Sequence, residues 1–137
     1  MNRMTIRCPD DCNYVLRRYS RMKQEHFGII LLNSQREIIQ TKCLFVGSDN
    51  ACQVYKKTIF WLACQKSASA IVLFHNHPSG NPAPSDVDIS LTNDIVKGGE
   101  LLGIQILDHL IVSKNGYYSF VSHEMIKQTE NKLKVAE

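Results

Sequence analysis

The sequence predicts an α/β sandwich with a mixed β-sheet, and three observations carry that prediction. Residues 48–64 and 85–96 repeat apolar side chains at helical spacing. About five short runs rich in branched and aromatic residues read as strands. Tight turns join two pairs of these strands, and the long helices lie among them. The chain has 137 residues, 44% of them hydrophobic, which is enough for one domain with its own core and too few for two. A single domain over 1–137 is therefore expected.

At the start, Asp10 or Asp11 is expected to cap a short helix with Val15, Leu16, Tyr19 and Met22 on one side. Its other side holds Arg17, Arg18, Arg21 and Lys23, which a solvated helix face explains. Residues 25–32 and 38–46 read as strands, and Asn33-Ser34-Gln35-Arg36 as the turn of an antiparallel hairpin. In 48–64, Ala51, Val54, Tyr55, Ile59, Leu62 and Ala63 recur at helical spacing, with Ser48, Asp49 or Asn50 available as the cap. Residues 68–75 form a short branched run, the pattern of a buried strand. A second long helix is expected over 85–96, ended by Gly98-Gly99. Residues 104–112 and 117–121 read as strands joined at Asn115-Gly116, a strong hairpin signal. The polar tail after 122 reads as a marginal helix or frayed end.

Composition excludes several classes. A net charge of +3 is far from the dense Lys/Arg loading of a nucleic-acid binder. No apolar run approaches the ~18 residues of a membrane span. Residues 1–8 lack the apolar core of a signal peptide, so the expected location is the cytoplasm. Five scattered cysteines, an odd number, read as free thiols.

The chemistry concentrates between His75 and Asp88. His75 and His77 end a predicted strand two residues apart, so they point to the same side and can share one metal ion. Pro78 stops the pairing, and the Pro- and Gly-rich stretch up to Pro84 turns the chain back. Ser85-x-x-Asp88 matches a capping box, with Asp in place of the usual Glu or Gln. Asp88 shares a helix face with Leu91, Thr92 and Ile95, the face expected to pack inward. A carboxylate there needs a partner, because an unpaired buried charge is costly. Two imidazoles and one carboxylate suit Zn²⁺, and three protein ligands leave a fourth position open for water. Each piece alone has a plainer reading: His-x-His is common, and Ser85 or Asp88 alone could be a helix cap. Their combination at this spacing is far more specific.

At these residues the chain resembles the JAMM (MPN+) metalloprotease motif: His-x-His, then Asp ten residues on, with Ser three before it. It resembles the RadC family more closely, through His75-Asn76-His77-Pro78-Ser79-Gly80-Asn81-Pro82-Ala83-Pro84-Ser85-Asp86-Val87-Asp88-Ile89. Leu102-Gly103-Ile104, Leu107-Asp108-His109-Leu110-Ile111-Val112 and Tyr118-Ser119-Phe120 fit the same family. The resemblance covers about residues 10–121. It implies a JAB/MPN-type fold, a three-layer sandwich with flanking helices close to the cytidine-deaminase architecture. It also implies one Zn²⁺ per chain on His75, His77 and Asp88, and an upstream glutamate that deprotonates the attacking water. Glu25 matches that glutamate, and Glu37, in the turn, is the runner-up. Ser85 is implied as the donor to the oxyanion of the tetrahedral intermediate.

Two departures stand out. Full-length relatives carry an N-terminal helix-hairpin-helix region, for which this sequence has no room. The family's usual His-Pro-Arg-Glu at the first long helix is replaced by Gln53-Val54-Tyr55-Lys56. Asp108 and His109 alternate on a strand, so they should face opposite ways, with a structural or supporting role for one of them. Two functions are thus expected to compete: a zinc-dependent hydrolase of peptide or isopeptide bonds acting on a peptide or protein substrate, and a non-catalytic DNA-repair accessory that binds DNA or a protein. The first accounts for the complete set Glu25, His75, His77, Ser85 and Asp88. The second rests on the family's repair label and the basic face around Arg17, Arg18 and Arg21.

Overall fold

Strands β1 (Glu25–Leu32) and β2 (Ile38–Gly47) form the expected antiparallel hairpin. Asn33 makes its turn: the side-chain oxygen accepts from the backbone N–H groups of Gln35 at 3.0 Å and Glu37 at 2.9 Å. A computed structural model describes residues 3–47 and 56–127. Strand β3 (Ala70–Asn76) pairs antiparallel with β1 and parallel with β4 (Gln105–Ser113), and β5 (Gly116–Ser119) closes the row antiparallel to β4. The order β2-β1-β3-β4-β5 makes one mixed sheet.

Every residue of β3 is buried, as a central strand covered on both faces requires. Ile71 and Leu73 join Ile29 and Leu31 on one face, under Ile59 and Ala63 of helix α2 (Lys56–Gln65) and Leu91 and Ile95 of helix α3 (Asp86–Leu102). Val72 and Phe74 join Ile30 and Leu110 on the other, under Cys12, Leu16 and Tyr19. The sheet therefore lies between two helical layers, an α/β architecture consistent with a JAB-type fold. Each fully buried Ile, Leu or Phe contributes roughly 1.5–3 kcal/mol of transfer free energy, so the two cores fix which way every strand faces.

Three elements differ from expectation. The first helix is split: α1 (Pro9–Val15) ends at Leu16, and a 3-10 turn follows over Arg17–Arg21. The tighter i, i+3 spacing keeps Leu16 and Tyr19 in line against the sheet. Neither Asp10 nor Asp11 is the cap. Pro9 opens the first turn, both acids follow inside it, and the Asp11 carboxylate accepts the Arg7 backbone N–H at 2.8 Å.

Helix α3 does not end at Gly98-Gly99. A Cβ on Gly99 would lie 2.4 Å from the Ile104 carbonyl, and one on Gly98 would lie 2.9 Å from the Phe60 ring. These glycines admit neighbours, and the left-handed residue that stops the helix is Gly103 at φ 71°. Strand β5 ends at Ser119 because Phe120 and Val121 turn into the core.

The basic side chains of the 3-10 turn are partly engaged: the Arg17 guanidinium lies 4.1 Å from the Tyr14 ring centre and that of Arg18 lies 4.8 Å from Tyr19. The expected cap at 48–50 and the departure at 53–55 lie outside the described residues, as does the tail from 128. Among the described residues, no helix is long and apolar enough to cross a membrane.

Candidate metal centre

His75 occupies the C-terminal end of β3, at the parallel β3–β4 junction, and His77 is the first residue beyond the strand. The His77 backbone N–H still donates to the Val112 carbonyl at 2.9 Å, so His77 keeps the strand's direction. The two Nε2 atoms lie 2.9 Å apart. Beyond His77 the chain reverses through Gly80 at φ 90°, where a side chain would be strained and its Cβ would meet the Asn115 amide at 2.7 Å. The Gly80 carbonyl is pinned by the Ser113 hydroxyl at 3.1 Å and the Asn115 amide at 3.0 Å. The turn between β4 and β5 thus anchors the loop that carries His77. That loop returns the Asn81 carbonyl to His77 Nδ1 at 2.9 Å, so Nδ1 is the donor and Nε2 of the neutral ring is left with its lone pair.

Ser85 and Asp88 form the full capping box. The Ser85 hydroxyl accepts from the Asp88 backbone N–H at 3.1 Å, and an Asp88 carboxylate oxygen accepts from the Ser85 N–H at 2.9 Å. The box aims the rest of the carboxylate inward. Its two oxygens lie 3.3 Å from His75 Nε2 and 3.3 Å from His77 Nε2. Glu25, at the head of β1, approaches from the solvent side, 3.9 Å from His75 Nε2. One ligand atom from each of Glu25, His75 and His77 fits within 4.8 Å of the others, a group able to hold a metal ion. Glu37 lies in the β1–β2 turn, where its carboxylate accepts from the Asn33 amide at 2.9 Å.

His75 and Asp88 are almost fully buried, whereas the Glu25 side chain is 23% exposed, so one edge of the cluster is open to solvent. Burial opposes ionisation of Asp88, yet the two imidazoles of His75 and His77 beside it hold its carboxyl far below the usual carboxylate range. Burial likewise opposes a charge on His77, but the Asp88 carboxylate and the Asn81 carbonyl outweigh it and raise the imidazole above its ordinary value. Two ring nitrogens facing each other between carboxylates need a positive occupant, either a shared proton or a metal cation. Two imidazole nitrogens with carboxylate oxygens are a donor set that Zn²⁺ accepts readily. The residues present therefore fit such an ion.

The sequence predicts a structural or supporting role for one of Asp108 and His109, without saying which, and gives none to Asn76. Asp108 and His109 do face apart. Asp108 accepts from the Ser119 hydroxyl at 2.6 Å and the Val121 N–H at 3.0 Å, tying down the end of β5 and the turn that follows it. Burial pushes its carboxyl up to about 6 against those hydrogen bonds. His109 turns toward the metal cluster, 2.8 Å from His75 Nδ1, where burial and the neighbouring His75 push its imidazole well below the ordinary value. Asn76, between the two histidines and facing away from them, binds the segment that leads into β1. Alternation along β3 was the available signal for Asn76. For His109 there was none beyond a polar residue in an apolar strand.

A family model described as the RadC-like JAB domain matches residues 6–125. The chain is 43% identical over 127 residues to a UPF0758 protein of Alkaliphilus metalliredigens, covering 92% of this chain and 55% of that protein. A UPF0758 protein of Listeria welshimeri is 44% identical over 117 residues, covering 85% of this chain and 52% of that protein. One from Bacillus cereus is 40% identical over 122 residues, covering 88% and 53% respectively. The chain spans about half the length of these curated relatives.

Proposed function

The chain belongs to the RadC-like JAB domain family, and from that premise we propose that it is a zinc-dependent hydrolase of peptide or isopeptide bonds. One observation carries the reading: the Nε2 atoms of buried His75 and half-buried His77 meet the Asp88 carboxylate at 3.3 Å each, with Glu25 across an open edge. His75, His77 and Asp88 would hold the ion. Bound there, Zn²⁺ supplies Lewis acidity, polarising a scissile carbonyl and bringing the ionisation of water toward neutral pH.

The remaining work falls to two side chains. Glu25 sits at the exposed edge, where a carboxylate can take a proton from the attacking water and hand it to the leaving amine. Ser85 accepts its capping bond through an oxygen lone pair, which leaves its hydroxyl hydrogen free to donate to an oxyanion. The helix cap and the oxyanion donor are therefore compatible in one residue. The substrate proposed is a peptide or protein chain whose scissile amide lies along that open edge.

Metal analysis and turnover test the reading together. The purified chain should carry about one zinc, as expected of a three-ligand site. His77→Ala and Asp88→Ala should lose the metal. Glu25→Gln should keep it and lose cleavage of peptide and isopeptide substrates. Undiminished zinc in His77→Ala would overturn the assignment.

A further inference from the structure

We propose that Thr92 and His109 are positioning residues that place a proton on His75 Nδ1 and so commit the His75 Nε2 lone pair to the metal site. The inference rests on the metal-site reading above and assigns work to two buried residues that the reading itself does not use.

The contacts form a closed path. The Thr92 hydroxyl donates to the Asp88 backbone carbonyl at 2.8 Å, one turn earlier on α3. Thr92 Oγ1 lies 2.5 Å from His109 Nδ1, and His109 Nε2 lies 2.8 Å from His75 Nδ1. His75 Nε2 then faces His77 and Asp88. The path runs from the backbone of one ligand residue to the ring of another, entirely through groups shielded from water.

The direction of the protons along it follows from the groups at its start. A carbonyl can only accept, so the single hydrogen of the Thr92 hydroxyl points at Asp88. Thr92 must then accept from His109, which puts a hydrogen on His109 Nδ1. His109 is fully buried and its two ring nitrogens meet only Thr92 and His75, so a second proton would be a buried charge with no carboxylate bonded to either nitrogen. Its Nε2 is therefore a lone pair, and it accepts from His75 Nδ1–H. A neutral His75 protonated at Nδ1 has its lone pair on Nε2, the nitrogen that faces the site. The reverse order would leave the Thr92 and Asp88 oxygens 2.8 Å apart with no hydrogen between them, and would turn an N–H of His75 into the metal site.

Packing keeps the relay in place. The His109 ring stacks on Phe120 at a centroid distance of 4.7 Å and 12° between planes, and it meets Phe27 edge-on at 5.7 Å. A ring clamped on two sides cannot turn to exchange its nitrogens without opening the core.

The test needs two measurements on the full chain. In the zinc-loaded wild type, long-range proton–nitrogen NMR of the histidine rings should find His109 protonated at Nδ1 with a lone pair at Nε2, and His75 protonated at Nδ1. His109 carrying its proton on Nε2 would overturn the inference without any substitution. Separately, His109→Phe keeps the ring stack but removes the acceptor, and Thr92→Val keeps the shape but removes the hydroxyl. By chelator competition each should bind zinc about 10–100-fold more weakly, the usual scale for groups that orient a metal-binding histidine. Thr92→Ser should restore tight binding. Wild-type zinc affinity in folded His109→Phe and Thr92→Val would reject the positioning role and leave the metal-site reading standing. No zinc binding by the wild type would instead defeat that reading, and this inference with it.

Discussion

Replacing Asn76 by alanine should loosen the glutamate without touching the metal ligands. Asn76 is fully buried on the face of β3 opposite His75 and His77. Its Oδ1 accepts the His26 backbone N–H at 2.6 Å, and its Nδ2 donates to the Gln24 carbonyl at 2.9 Å, with a longer contact to the Met22 carbonyl at 3.4 Å. These bonds bracket Glu25. The substitution strips two good hydrogen bonds, each worth about 1 kcal/mol, and a stranded buried donor or acceptor costs about 1–3 kcal/mol more. Gln24 is exposed, so its carbonyl can turn to water, and His26 is itself half-exposed. The expected loss is therefore near the low end, about 2 kcal/mol, a large fraction of the ~5–15 kcal/mol that holds a typical domain together. Urea denaturation should show it as a midpoint about 1 M lower at a typical slope for a small domain. Zinc content should stay at the wild-type value, while peptide cleavage falls because Glu25 is no longer held across from the histidines. An unchanged midpoint refutes the anchoring argument. Loss of zinc along with stability refutes the separation of the two faces.

Asp108 should make stability depend on pH in an unusual direction. Its native carboxyl sits at about 6, above the ordinary 3.8, so the folded protein holds that proton more tightly than the unfolded chain does. Its contribution is fully present below about pH 4 and is lost as pH rises through about 6, a change of about 3 kcal/mol. The stability difference between the wild type and Asp108→Asn, measured in denaturant from pH 4 to 7, should move against the wild type across that window, and a constant difference rejects the burial argument. Gly80→Ala should weaken zinc binding, since φ 90° and a 2.7 Å clash with Asn115 displace the loop that carries His77; wild-type affinity would show that the loop tolerates the change. Ser85→Ala should cost about 1 kcal/mol as a lost helix cap while keeping the metal, with cleavage reduced further than stability. Full cleavage in that variant excludes Ser85 as the oxyanion donor.

The fold was legible wherever the signal was local. The hairpin at Asn33, the buried run of β3 and the capping box at Ser85 each depend on residues within a few positions of one another. Boundaries failed where distant packing decided the matter. Gly98-Gly99 looks like a helix stop until Phe60, distant in the chain, is known to press on Gly98 and the chain is known to fold the Ile104 carbonyl back over Gly99. The break at Leu16 is similar: a continuous α-helix satisfies the local pattern, but the sheet rewards the 3-10 spacing that keeps Leu16 and Tyr19 together.

The same divide runs through the metal centre and explains its construction. His75, His77, Ser85 and Asp88 lie within fourteen consecutive residues, so spacing alone could group them. Glu25 stands fifty residues upstream of His75, and only a family resemblance picks it out. What supports these side chains also comes from outside that stretch or reaches beyond it: Asn76 reaches back to residues 22–26, Ser113 and Asn115 reach to Gly80, and His109 reaches to His75. The reason is topological. Antiparallel pairing brings the start of β1 to the end of β3, and the parallel crossover through α3 brings β4 alongside on the other edge. The end of β3 is thus the one place where a base from one neighbouring strand and a supporting histidine from the other can flank the same two imidazoles. A loop bearing the ligands could have been read in isolation, but the precision of its donors depends on the strands on either side. Substitutions at His109, Asn76 and Asn115 should therefore degrade the site in three separable ways: the direction of a lone pair, the position of the base, and the position of His77.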